Sequence, residues 1–293
     1  MKNLSADAAN SRSAVPPPAN LIVNADDFGY FDHVSDGILD CVDAGAVTAT
    51  GVMTNSPAFA MHAERLQERP DVDIGVHLTL TSGEPLTREM RHATTRWAGR
   101  FPSKWSIVKA VMSRQITGVM VQAEWRHQIE RCLSSGLRPV FLNSHEHLHM
   151  LPPLFEQVMG LASEFGIRHV RRSLPEKPST ASPGALVRDA ALWALGSATG
   201  NRQAASEPRL VGMGISGRID LAYLRTMLPR LEPACTYELM CHPGRPPMSA
   251  SIPPELPAYH GWEQERSTFT SQAFRELLHT ANVRLLRFRD LAT

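Results

Sequence analysis

The sequence carries almost no net charge: 30 Lys and Arg stand against 29 Asp and Glu over 293 residues, a formal +1. That balance leaves no electrostatic footprint for nucleic acid or an anionic membrane. No apolar run approaches the roughly 20 residues that span a bilayer. Cysteine is scarce. Cys41, Cys132, Cys235 and Cys241 are widely spaced without a CxxC, which argues against a zinc knuckle or a disulfide framework and for reduced thiols in a cytoplasmic protein. No Gly-rich phosphate loop follows the first strand-like run, and GISG at 214–217 is too short to count as one. Aromatics are only 6% of the chain. Histidine, by contrast, is abundant: there are twelve.

Residues 1–20 lack an apolar signal core and read as a disordered, Pro-ended leader. From 21 to 293 the chain reads as one domain. Strand-like runs at 21–24, 47–54, 72–81, 140–143, 167–171, 210–215, 236–241 and 283–286 alternate with helical patterns. The helices are expected at 34–44 (stopped by Gly45), 58–68, 107–115, 119–134, 154–165, 185–195, 221–231 and 269–280. About eight β/α units without a dividing linker fit an α/β fold, either an open doubly wound sheet or a closed barrel. Without a phosphate loop, an irregular TIM-like (β/α) barrel is favoured, with 82–103 and 173–208 inserted over one face.

In both folds sites form at the C-terminal ends of the strands. Those ends carry Asp26 and Asp27, His77, the run His145, His147 and His149, Arg171 and Arg172, and His242. Adjacent carboxylates at a buried strand end need partners. In extended backbone Asp26 and Asp27 point to opposite sides, so one can bind a cation while the other accepts a proton from water. His145, His147 and His149 alternate, so an extended chain puts all three on one face, where a metal ion relieves their crowding. Arg171 and Arg172 suit holding a carboxylate or orienting a catalytic acid. Trp97, Phe101, Trp105, Tyr259 and Trp262 lie in two inserted segments, where aromatic faces can stack on sugar rings.

NADDFG at 24–29, GVHLTLT at 75–81, SHEHLHMLP at 144–152 and MCHPG at 240–244 resemble the YdjC-like carbohydrate deacetylases, the family of the chitooligosaccharide deacetylases. The likeness runs from Leu21 to Leu291. It implies a barrel-like α/β fold and a divalent metal on Asp27, His77 and His145, with Asp26 as general base and His242 as general acid. It also implies removal of N-acetyl groups from small amino-sugar oligosaccharides. The family commonly has Asp where this chain has Asn143, which can orient a neighbour by hydrogen bond but brings no charge. Substrate contact is expected from His147, His149, Arg171, Arg172, Trp97 and Trp262. One carboxylate and two imidazoles suit zinc or another transition ion, whereas the resemblance leans to magnesium. The rival readings are a deacylase for another acetylated glycan or lipid-linked sugar, and a non-catalytic sugar-binding protein. A glycoside hydrolase would need a suitably spaced carboxylate pair, and the histidine excess argues against it. The partner implied is a small acetylated amino sugar; a homo-oligomer stays open.

Overall fold

The computed structural model describes residues 16–173, 207–247, 252 and 255–291. Most of the expected leader and the helix expected at 185–195 lie outside the described residues. Among the described residues eight parallel strands form the sheet: β1 (Ala19–Phe28), β2 (Ala49–Val52), β3 (Asp73–Leu78), β4 (Pro139–Ser144), β5 (His169–Val170), β6 (Arg209–Val211), β7 (Thr236–Cys241) and β8 (Val283–Leu285). Seven follow the order β5-β4-β3-β2-β1-β7-β6, and β8 pairs with Ala19–Leu21 of β1. Among the described residues β5 and β6 share no ladder. Among the described residues the sheet is thus a parallel path from β5 to β6, the arrangement of a half-barrel.

The strands are covered by α1 (Asp32–Asp43), α2 (Phe59–Gln67), α3 (Arg88–Ala93), α4 (Lys104–Met112), α5 (Gly118–Ser134), α6 (Pro152–Glu164), α7 (Leu221–Met227), α8 (Glu255–Tyr259), α9 (Trp262–Thr270) and α10 (Gln272–Thr280). β1 is apolar from Leu21 to Val23 and buried nearly throughout, as a strand covered on both faces must be. Each Val, Leu or Ile buried there stabilises the fold by about 1.5–3 kcal/mol. Gly45, at φ +70°, follows the end of α1 in the left-handed conformation expected of a C-terminal stop.

One helix expected at 269–280 is two. Ser271 takes an extended backbone and its side chain accepts from the Phe274 N–H, ending α9 and capping α10. The segment 82–103 is anchored by buried Glu124 of α5, whose carboxylate accepts from the backbone N–H groups of Leu86 and Thr87 and from the Thr87 hydroxyl. No described helix is long and apolar enough to cross a membrane.

Candidate metal centre and hydrolytic site

The C-terminal ends of β1, β3, β4 and β7 open into a cavity of about 510 Å³ lined by Asp26, Asp27, His77, His145, His147 and His242, among others. Asp26 and Asp27 do not point to opposite sides. Asp27 has a φ of +71°, and the register of β1 against β2 slips between Ala25 and Phe28. This bulge breaks the two-residue alternation and turns both carboxylates toward one cavity.

His77 Nε2 lies 3.1 Å from Asp27 Oδ1, and His145 Nδ1 lies 2.8 Å from the same oxygen. The three residues offer ligand atoms within 4.8 Å of one another, so they form a group able to hold a metal ion. The donor set supports that fit. Asn143 Nδ2 donates to Asp26 Oδ1 at 2.8 Å, so its Oδ1 faces His77 Nδ1, also at 2.8 Å. The proton on this imidazole therefore sits on Nδ1, leaving the Nε2 lone pair for a cation. β2 approaches closely here. A Cβ on Gly51 would lie 3.2 Å from both Asn143 Oδ1 and His77 Cβ, which accounts for glycine at that position.

Burial opposes ionisation of Asp27, but His145 and His77 beside it hold its carboxyl well below the usual range. Burial likewise opposes the charged form of His145, and Asp27 overrides it, raising that imidazole. Burial would push Asp26 up. Arg171, with His77 and His242, pulls it down to about 2. Arg171 Nη1 and Nη2 donate to the two Asp26 oxygens at 2.5 and 3.0 Å, while Nε and Nη2 donate to Glu238 Oε1 at 2.8 and 2.6 Å. Asn24 Nδ2 donates to that same Glu238 oxygen at 2.7 Å. Arg171 is thus sealed behind Asp26 and orients it, instead of lining the cavity.

Of the six residues expected to touch substrate, only His147 lines this cavity. Its Nδ1 pairs with Ser173 Oγ at 2.8 Å. The three histidines after β4 do not share an extended face. The strand ends at Ser144, and Glu146 and His147 adopt φ of 56° and 57° within a tight helical turn. His149 turns inward, fully buried, with Nδ1 on Ser144 Oγ at 2.6 Å and Nε2 on the Arg171 carbonyl at 2.8 Å. Arg172 pairs with Glu207 at 2.7 Å outside the cavity. Trp97 lies under the Arg96 guanidinium, 3.8 Å from ring centroid to Cζ. Trp262 is buried and stacks on His260 at 5.2 Å.

Burial holds His242 below the ordinary imidazole range, despite the raising effect of Asp27 and Asp26. Its backbone N–H donates to Glu265 Oε2 at 2.5 Å, and its Nδ1 has no hydrogen-bond partner among the described residues. Sequence reasoning missed Lys104, Met213, Met240, Leu256 and His260 as cavity lining. It also missed Glu238, whose acid between apolar strand neighbours signals a buried cationic partner.

A family model described as YdjC-like protein matches residues 20–280. A carbohydrate deacetylase of Danio rerio is 33% identical over 157 residues, 53% of this chain and 50% of that one. This chain therefore spans half the length of that relative in the match. A carbohydrate deacetylase of Clostridium beijerinckii is 25% identical over 273 residues, 92% of this chain and 99% of that one. A putative cellobiose-phosphate cleavage protein from Enterococcus faecalis V583 shares the fold, with a TM-score of 0.71 at 24% identity, covering 94% of this chain and 100% of that one. With all four motifs inside the matched span, and with Asp26, Asp27, His77, His145 and His242 from them around one cavity, this chain belongs to the YdjC-like family.

Proposed function

We propose that this protein is a cytoplasmic, metal-dependent hydrolase that removes N-acetyl groups from amino-sugar oligosaccharides and releases acetate. The observation that carries the reading is the meeting of Asp27, His77 and His145 with a separate ionised carboxylate, Asp26, in one cavity. The relatives named above as carbohydrate deacetylases support the substrate class.

A divalent cation bound by Asp27, His77 and His145 would polarise the acetyl carbonyl and make water more acidic. The remaining steps belong to the chain's own residues. Asp26, ionised and fixed by Arg171 and Asn143, accepts the proton that water loses as its oxygen attacks the acetyl carbon. Asp26 Oδ1 accepts from both Asn143 and Arg171, whereas among the described residues Oδ2 has one bond, to Arg171 Nη1, and keeps a lone pair for that proton. His242, across the cavity, delivers a proton to the amine nitrogen as the C–N bond breaks. Because burial favours its neutral form, His242 takes up the proton that Asp26 accepted from water and passes it to the amine, which leaves Asp26 ionised and His242 neutral again. The near-zero net charge suits a neutral acetylated sugar, which needs no electrostatic steering.

The test is acetate release from N-acetylated mono- and oligosaccharides, with and without added divalent metal. Wild-type protein releases acetate, and Asp26→Asn lowers the rate by about 10²–10⁴-fold. Sugar binding without turnover under any metal would instead identify a non-catalytic sugar-binding protein. Release only from other acetylated glycans would move the substrate class.

A further inference from the structure

The ladder between β1 and β7 ends at the pair Ala25 and Cys241. His242 is the first residue beyond it, and Pro243, which has no N–H, closes the strand. Past the ladder, the His242 backbone N–H donates to Glu265 Oε2 at 2.5 Å. The other oxygen, Oε1, accepts from the Ile219 N–H at 3.0 Å. Glu265 is fully buried in the first turn of α9. One carboxylate thus ties α9 to the end of β7 and to the segment after β6.

The chain after His242 is pinned as closely. The Gly244 N–H donates to the Trp262 carbonyl at 3.0 Å, and the Arg245 N–H to the His33 carbonyl at 2.8 Å. α1 comes so near that a Cβ on Gly37 would lie 2.3 Å from Gly244 Cα. The Arg245 guanidinium reaches Asp40 of the same helix at 2.7 and 2.9 Å. The His242 imidazole has no comparable hold. Its Nδ1 is buried without a hydrogen-bond partner among the described residues, and the His260 ring lies beside it, 5.1 Å away between centroids. Placement of this ring therefore depends on its backbone, and Glu265 holds the backbone at that residue.

The chemistry of Glu265 fits such a role. Burial pushes its carboxyl up to about 7, although the two N–H groups oppose the rise, and no described cation pairs with it. A buried acid without a cation costs stability instead of adding to it. What it supplies is two acceptor oxygens for two N–H groups. An amide offers one acceptor, and its NH₂ would meet the second N–H as donor against donor.

We infer that Glu265 is a positioning residue for the proposed reaction: by holding the His242 N–H, it keeps the imidazole where it can protonate the leaving amine. This inference rests on deacetylation with His242 as the acid. Its consequence is selective. In the amide, water's oxygen bonds to the acetyl carbon and the C–N bond breaks only with a proton delivered to nitrogen. In p-nitrophenyl acetate the C–O bond breaks and p-nitrophenolate leaves with the electron pair, needing no proton. Loosening His242 slows the first and spares the second.

The experiment uses the full chain with divalent metal at about pH 8, where Glu265 is mostly ionised. It compares acetate release from N,N'-diacetylchitobiose with hydrolysis of p-nitrophenyl acetate. Glu265→Gln should lower kcat for the amide by about 10–100-fold, the scale of a misplacement of about 1 Å. The ester kcat and both KM values should stay within about threefold. Glu265→Asp keeps the charge but withdraws the oxygens by about 1.5 Å, one C–C bond. It should lose amide activity in the same direction, and it serves if the glutamine variant does not fold. Glu124→Gln, the same change in the buried acid that anchors 82–103, should leave the amide-to-ester ratio unchanged. Hydrogen exchange supplies a readout without chemistry. The His242 and Ile219 amides should exchange at least about tenfold faster in Glu265→Gln, while Leu239 and Met240 in the ladder keep their protection. Equal loss on both substrates, or unchanged exchange at His242, overturns the inference. Wild-type protein that cleaves the ester but releases no acetate from N-acetylated sugars would defeat the deacetylase reading, and the exchange result would still decide whether Glu265 holds His242 in place.

Discussion

Asn143 joins Asp26 to His77, donating to the carboxylate at 2.8 Å while accepting from the imidazole at 2.8 Å. One neutral amide thus fixes both the orientation of the ionised acid and the tautomer that leaves His77 Nε2 free. Asn143→Leu keeps the volume and removes both bonds. Each buried group left unpaired costs about 1–3 kcal/mol. Loss of such an orienting partner weakens metal affinity by about 10–100-fold. Calorimetric metal titration of the variant checks this. Unchanged affinity would mean that His77 is oriented by strand packing alone.

Arg171 makes stability depend on acid. Asp26 sits at about 2 in the folded protein against an ordinary value of 3.8. Its folded pKa is depressed, so its contribution is present above the ordinary carboxylate range and disappears as pH falls through about 2. The difference corresponds to about 2 kcal/mol. Urea unfolding in the metal-free protein should show that loss between about pH 4 and pH 2. Arg171→Met leaves Asp26 buried without its cation, costs about 3–5 kcal/mol near neutrality, and removes this acid-dependent loss. A variant whose stability falls with acid as the parent's does would sink the assignment.

Much of the fold could be read from alternation. Every expected strand run overlaps an observed strand, because buried parallel strands are apolar and short. The positions of Asp26, His77, His145 and His242 at one sheet edge followed from the same reading. What resisted was local backbone geometry. The left-handed φ of Asp27, Glu146 and His147 reverses the direction of side chains that a period of two assigns, and nothing in those residue types announces it. Inward-facing Arg171 resisted for another reason. Its burial depends on Glu238, 67 residues away, and a pairing at that distance leaves no periodic trace. Trp97 and Trp262 were assigned by residue type, and core and cation contacts claim them instead.

Metal should stabilise the fold through the same three side chains. A ligand that binds only the native state at a hundredfold above its Kd contributes about 2.7 kcal/mol. For a chain of this size that is a rise of several degrees in Tm, at about 2–4 °C per kcal/mol. Chelation should lower Tm and abolish acetate release, and divalent metal should restore both. In His145→Ala the same additions should leave Tm unchanged, because one of the three ligand groups is gone. An equal metal-dependent rise in that variant would place the ion elsewhere.

His149 separates a supporting role from substrate contact. The Arg171 carbonyl can only accept, so Nε2 donates to it, and Nδ1 must accept from the Ser144 hydroxyl. Ser144 Oγ in turn accepts from the His149 backbone N–H at 3.0 Å. Burial pushes this imidazole down to about 4, so it stays neutral at physiological pH and its two bonds persist. His149→Leu strands one buried carbonyl and one hydroxyl, at about 1–3 kcal/mol each. Tm should fall accordingly, while metal affinity and KM stay within about twofold of the parent, a change worth less than 1 kcal/mol. Because His149 ties the end of β4 to the backbone of Arg171, kcat should fall modestly through looser placement of Asp26. Gln can donate but cannot reproduce both contacts, so His149→Gln should recover part of the stability. A raised KM at unchanged Tm would instead return His149 to the substrate.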